Sequence, residues 1–203
     1  TTGGEVSLEV PPGNVILVAA YPVEDGQLRM DGAVELSSLV HDGELEWNAP
    51  AGEWHVMAVT EGRLYEGTHA AVSLCDKLPY INLLMPEPTK RFLEVTHDRY
   101  AEHLGDDLGE TFISTFTDEP SLMSMFMRPM PYRVLPWAPH LPAEFQKRRG
   151  RPPERLPPLL VAETGSEGPR ARYDFRLTAG DLVSETFFGQ LQAWWPAHHL
   201  PSG

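Results

Sequence analysis

Cysteine is nearly absent from the chain: Cys75 stands alone among 203 residues, which excludes an internal disulfide and any multi-cysteine metal site. It lies in "AVSLC", a strand-like context where a buried, inert thiol is the default. Lysine is scarce too. Of the 16 basic residues only Lys77, Lys90 and Lys147 are lysine, and beside 20 prolines this bias reflects a GC-rich coding sequence rather than a function. No apolar stretch approaches the ~20 residues of a membrane-spanning helix. The formal net charge of −13 argues against nucleic acid or an anionic membrane as partner, since both repel an acidic surface. Even the basic cluster "KRRGR" at 147–151 reads as a solvated helix end. The start, "TTGGEVSLEV", has neither a methionine nor a signal-peptide pattern, so the compartment stays open between the cytoplasm and export of a soluble protein.

Familiar catalytic signatures are missing as well. Without HExxH, GxSxG, a P-loop or a Rossmann glycine motif, zinc-protease, serine-hydrolase and nucleotide-binding readings lose their support. His97 and His103 fall on different faces of one helix and make a poor metal pair. His198 and His199 close the last helix, where positive charge suits the helix dipole.

What is present is 41% hydrophobic and 22% charged, a composition that builds a globular core. Its periodicity changes along the chain. Over residues 1–77 "EVSLEV" alternates, "NVILVAAYPV" is a buried-type run, and "WHVMAVTEG" and "HAAVSLC" are further strands. The turn signals "PPGN", "EDGQ", "MDGA", "HDGE" and "PAGEW" separate them. Short strands at this spacing predict an antiparallel, β-sandwich-like domain. Trp54, opening a strand after Pro50 and Gly52, fits a core plug better than a sugar platform.

From residue 78 to 203 helical patterns take over. "PEPTKRFLEVTHDRYAEHLG" has prolines at its start, Phe92, Val95, Tyr100 and Leu104 near one face, and Gly105 as its stop. The strand "TFISTFT" follows, "PYINLL" is a second strand candidate, and "LPAEFQKRRG" is a short helix. The proline- and glycine-rich "RPPERLPPLLVAETGSEGPR" reads as a loop. In "YDFRLTAGDLVSETFFGQLQAWW" the residues Phe175, Ala179, Leu182, Val183, Thr186, Phe187, Leu191 and Trp194 trace a core-facing stripe. The expected fold is therefore mixed, α+β or α/β: an N-terminal antiparallel sandwich-like domain, 1–77, then a partial (β/α) barrel segment, 78–203. A complete barrel needs about 250 residues.

The chemistry concentrates in "TFISTFTDEP". Successive strand side chains point to opposite faces, so Asp118 and Glu119 are not a facing acid/base pair. Two readings remain. The carboxylates cap a strand and face solvent, or one of them stands at the C-terminal rim of a buried parallel strand, where barrel enzymes place catalytic groups. Glycoside hydrolysis needs a second carboxylate, about 5–5.5 Å away for retention or 6.5–9.5 Å for inversion. Asp174 in "RYDF" offers one, although at a helix start it also reads as an N-cap or first-turn acid.

These residues carry a resemblance. "PYINLLMPEPTKRFLEVTHDRYAEHLGDDLGETFISTFTDEPSL" resembles a stretch of large bacterial glycoside hydrolases related to family 106, the α-L-rhamnosidases, in which a helix precedes a barrel strand ending in "FTDEP". "PWAPHLPAEFQKRRGRPPERLPPLL", "RYDFRLTAGDLVSETFFGQLQAWWPAHHL" and "NAPAGEWHVMAV" are similar to further segments of that family, in order. The resemblance implies an inverting rhamnosidase with two glutamates, a carbohydrate substrate, and a calcium ion near the sugar. Carried over by position, Glu119 is the general acid, Asp118 orients it or touches substrate, and Trp137 lines the cleft. No position here matches the calcium ligands or the second glutamate. The family enzymes are several times longer, so the remainder of a larger chain, or further copies of this one, are expected partners. Two other readings compete: a non-catalytic carbohydrate-binding or structural module, and a small self-sufficient α/β protein.

Overall fold

The Asp-Gly turns of the first sixty residues fold as their chemistry dictates. A computed structural model describes residues 1–62, 81–117, 120–122 and 132–200. Its seven strands are β1 (Gly4–Glu9), β2 (Asn14–Glu24), β3 (Gln27–Leu28), β4 (Val34–Glu35), β5 (Val40–His41), β6 (Glu44–Ala49) and β7 (Trp54–Glu61). Asp25 and Gly26, at φ 51° and 73°, join β2 to β3, and Asp42 and Gly43, at φ 51° and 82°, join β5 to β6. Two successive positive φ values give the turn whose twist matches a hairpin, and Asp-Gly adopts them at the least cost.

Every strand pairing among the described residues is antiparallel. One sheet has the order β1-β6-β5; in the other β2 pairs with β3, β4 and β7. Alternation puts Leu45 of β6 fully inside while its neighbours Glu44 and Glu46 are exposed. Leu45 meets Val10, Leu36 and, from the other sheet, Val18 and Ala20. Trp47 and Trp54 pack edge to face against the same cluster, with centroids 5.5 Å apart. The opposite face of β2 is buried too: Ala19 and Tyr21 join Leu28, Met57 and Ala162. Burial on both faces is why "VAAY" reads as a continuous apolar run rather than an alternating one.

The helices are α1 (Pro86–Phe92), α2 (Asp98–Leu104), α3 (Leu141–Arg149), α4 (Leu156–Val161), α5 (Glu167–Val183) and α6 (Gly189–Ala197). A π-helical turn over Leu93–His97 links α1 to α2, and another over Ser184–Phe188 links α5 to α6. Gly105, at φ 51°, ends α2 as expected. The stripe on the last helices is buried as read, from Phe175 and Ala179 through Leu182, Phe187 and Leu191 to Trp194.

Three expectations need correction. The proline-rich stretch read as a loop contains α4 and the start of α5. Pro157 and Pro158 fall in the first turn of α4, and Pro169 in the first turn of α5. There the missing N–H has no intrahelical partner to lose, so proline starts a helix instead of breaking it. The strand "TFISTFT" does not form either: Phe112 makes one isolated bridge to Leu108, and 113–117 join no ladder. A strand needs a neighbour for its backbone groups, and none lies beside it among the described residues. "PYINLL" likewise gives a turn at Leu83–Leu84, where Asn82 Oδ1 accepts from the Leu84 amide (3.1 Å). The strand read at "HAAVSLC", with Cys75, lies outside the described residues.

The chain divides into two compact units. One holds Thr1–Leu64, Met130–Val134 and Pro142–Arg176; the other holds Tyr65–Pro129, Leu135–Leu141 and Leu177–Gly203. In the first, Leu28 donates its amide to Glu163 O (2.8 Å), tying the residues after α4 to β3. In the second, Leu83, Leu93, Phe187, Leu191, Trp194 and Leu200 form one core.

Candidate active site

The second unit contains a cavity of about 620 Å³. Leu83, Pro120, Leu122, Pro136, Val183 and Phe188 give it apolar walls, and Ser121 and Ser184 bring hydroxyls to its lining. Asp118 and Glu119 lie outside the described residues, but the chain resumes at Pro120 directly in the cavity wall.

Four segments far apart in sequence build that wall, and polar pins hold those at Leu83, Pro136 and 180–188. Thr186 Oγ1 lies 2.5 Å from Leu83 O and 2.7 Å from Leu182 O, so its single proton is shared between a loop carbonyl and its own helix. The widened π turn leaves carbonyls poorly paired. Gln190 answers part of this, its Nε2 donating to Thr186 O (2.5 Å) and to Pro86 O at the start of α1 (3.0 Å). Asn82 Nδ2 donates to Trp137 O (2.8 Å), which fixes the stretch containing Pro136. π turns recur at functional sites because they rotate the following side chains off the regular helical face. Ser184, Phe188 and the pinning Thr186 all belong to this one.

The expected site residues are distributed as follows. Trp137 is half-buried beside Pro136, a wall residue. Asp174 belongs to the first unit. It is not an N-cap or first-turn acid, because α5 begins at Glu167, and Asp174 sits two turns inside it. Its carboxylate is 3.1 Å from Arg151 Nε, with both side chains largely shielded. Arg151 thus leaves the solvated basic cluster and finds a partner on α5. Asp174→Asn keeps the shape and removes the charge, and should cost about 1–3 kcal/mol of stability, the range for a hydrogen bond to a charged group. Urea unfolding checks this. A loss of turnover without that loss of stability would instead place Asp174 at the substrate.

Sequence reasoning did not find Leu83, Ser184 or Phe188. Leu83 reads only as part of the apolar run "PYINLL", and Ser184 and Phe188 fall outside the core-facing stripe, so no sequence signal marks them. Phe112, Ile113 and Phe116, read as strand-core residues, are instead exposed, Phe116 by 88%. Thr115 Oγ1 accepts from Trp195 Nε1 (2.9 Å), which holds this segment to α6.

Among the described residues no three or more His, Cys, Asp or Glu side chains come together as a metal ion requires, so the calcium implied by the family has no matching donor set there. No helix among them is long and apolar enough to cross a membrane.

None of the curated proteins matches the chain. Among solved structures it is similar to the rhamnosidase from Novosphingobium sp. PP1Y, with a TM-score of 0.51 and 19% identity. The match takes in 86% of this chain and 16% of that one, so the chain spans about a sixth of the length of its structural neighbour. At that identity the likeness speaks for the fold alone. The profile of glycoside hydrolase family 106, described as alpha-L-rhamnosidase, matches residues 17–201, nearly the whole sequence. The chain belongs to glycoside hydrolase family 106, the α-L-rhamnosidases.

Proposed function

We propose that this chain carries the general-acid segment of an α-L-rhamnosidase, with Glu119 protonating the leaving-group oxygen of the glycosidic bond. The observation that carries this reading is the family match across 17–201, a span that includes "FTDEP". The cavity whose wall includes Pro120, the next residue in sequence, adds a place for a sugar. Its walls are mainly apolar, and desolvation there favours the protonated form that a general acid needs. Asp118, on the other side of the backbone, orients Glu119 or contacts substrate, and Trp137 extends the cleft beyond Pro136.

In this reading residues 78–203 form part of a (β/α) barrel, and 1–77 a β domain beside it. Segment 113–117 becomes a barrel strand once neighbouring strands from the rest of the polypeptide flank it. Its exposed Phe116 and Ile113 are then buried, and the second catalytic glutamate arrives with the added strands. A binding module would be expected to display coplanar aromatic rings on a sheet face. Trp47 and Trp54 meet at 88° and pack on the core, which weighs against that alternative. The test is hydrolysis of α-L-rhamnosides by the longest polypeptide that carries this segment. Release of rhamnose that persists undiminished when Glu119 is replaced would overturn the assignment.

A further inference from the structure

We propose that His97, Trp194 and His198 form an acid-released latch that holds α6 against the 97–115 segment. Both imidazoles pack against the indole. His97, last residue of the first π turn, meets Phe92 edge to face at 5.1 Å and Trp194 at 5.0 Å, with interplanar angles of 69° and 81°. Trp194 also stacks on His198, centroids 3.9 Å apart and rings 15° from parallel. Trp194 Nε1 donates to Asp98 Oδ1 (2.7 Å), and His198 Nδ1 lies 2.9 Å from Trp194 O.

His97 Nδ1 is shut off from solvent and has no hydrogen-bond partner. That is tolerable for a neutral imidazole whose Nδ1 carries the lone pair. An imidazolium carries a proton on both nitrogens, so acid would place an unpaired N–H in an apolar contact. The charged groups facing His97 are Asp98 from its own helix and His198 from beyond α6. Burial holds His97 below the usual histidine range; Asp98 opposes that shift, and His198 adds to it. The Asp98 oxygen nearest the stack is already engaged by Trp194, so it is a weak counter-ion. The sign follows from linkage. With the folded value depressed, the unfolded chain takes up a proton first, near the ordinary value of ~6.5. The stabilisation is therefore present above that pH and is lost as pH falls through and below it.

Release reaches beyond the rings. α6 also holds Thr115 through Trp195 Nε1 (2.9 Å), and just past its end His199 O packs so close to Gly109 that a Cβ there would stand 2.8 Å away. Loosening α6 frees segment 109–117, which immediately precedes Asp118 and Glu119 in sequence. In a rhamnosidase this makes the acid's alignment dependent on pH, a consequence that rests on the Glu119 reading, whereas the latch itself does not.

Proton NMR of the imidazole C–H resonances in the intact 203-residue chain tests the latch, together with amide hydrogen exchange. The His97 midpoint should lie below about 6.5. After correction for intrinsic rates, amides of α6 should exchange clearly faster at acid pH than at pH ~7.5, because the depressed His97 value makes the stabilisation fade as pH falls. A midpoint at or above the ordinary value, or α6 protection that does not change across it, overturns the proposal. His97→Phe keeps a ring in the stack without a titrating proton and should abolish the acid-induced acceleration; retained acceleration overturns the latch. If that variant does not fold, His198→Gln carries the test, since removing the neighbouring charge should raise the His97 midpoint. An unchanged midpoint in His198→Gln is the overturning result.

Discussion

Replacing Glu119 with glutamine should lower kcat/KM for an alkyl α-L-rhamnoside by about 10²–10⁴-fold, the usual worth of a positioned proton donor. The measurement belongs in the longest polypeptide that carries this segment, because this chain spans only 16% of its structural neighbour. Glutamine keeps the size and hydrogen-bonding shape of the side chain but has no acidic proton. A nitrophenyl glycoside should suffer much less than an alkyl one, since a nitrophenolate leaves without help. That difference between leaving groups separates a lost general acid from a merely distorted site, which would slow both substrates alike. The alkaline limb of the pH profile should also fade in Glu119→Gln, because that limb reports deprotonation of the acid. Equal losses on both substrates with an unchanged pH profile would remove Glu119 from the proton-transfer step.

The largest stability effect is expected in the first unit, at Leu45. Its side chain, on β6 of one sheet, is completely buried and meets Val18 and Ala20 of β2 in the other, together with Leu36, whose amide bonds to Val18 O. Leu45→Ala removes three carbons from a site whose walls are strands tied by ladders. Such walls collapse poorly, so the transfer cost and the cavity cost add to about 2–5 kcal/mol. Glu46→Ala, one residue along β6 but on the exposed face, should stay within about 0.5 kcal/mol of the parent. Urea midpoints for the two variants provide the comparison. If the Leu45→Ala midpoint resembles that of Glu46→Ala, these sheets do not share a core in solution.

Local chemistry was legible where one or two residues suffice to decide a conformation. Asp25-Gly26 and Asp42-Gly43 announce their hairpins, Gly105 ends α2, and Gly150 takes φ 68° after α3. The burial stripe from Phe175 to Trp194 followed from helical period alone. Proline was misread for a physical reason: it breaks a helix in the interior and favours it in the first turn, and the sequence between Arg151 and Arg170 does not say where the first turn lies. Strand formation at 111–117 was overcalled because an apolar, β-branched segment states a preference, while a ladder requires a second strand to complete it. Asp174 was weighed as a helix-start acid until α5 proved to begin at Glu167, which left Arg151 to define its surroundings.

The sequence by itself determined the family, the ordered run of motifs ending in Thr117-Asp118-Glu119-Pro120, the hairpin turns, and the stripe that the last helices bury. These depend on residues close together in the chain or on a pattern repeated at a fixed period. Only the tertiary structure decided which side chains line the cavity, which acid pairs with Arg151, and that His97 and His198 both pack against Trp194. Those outcomes rest on contacts such as Thr186 with Leu83, 103 residues apart. A periodic pattern shows that a side chain turns inward; the partner it meets there is set by how distant elements pack.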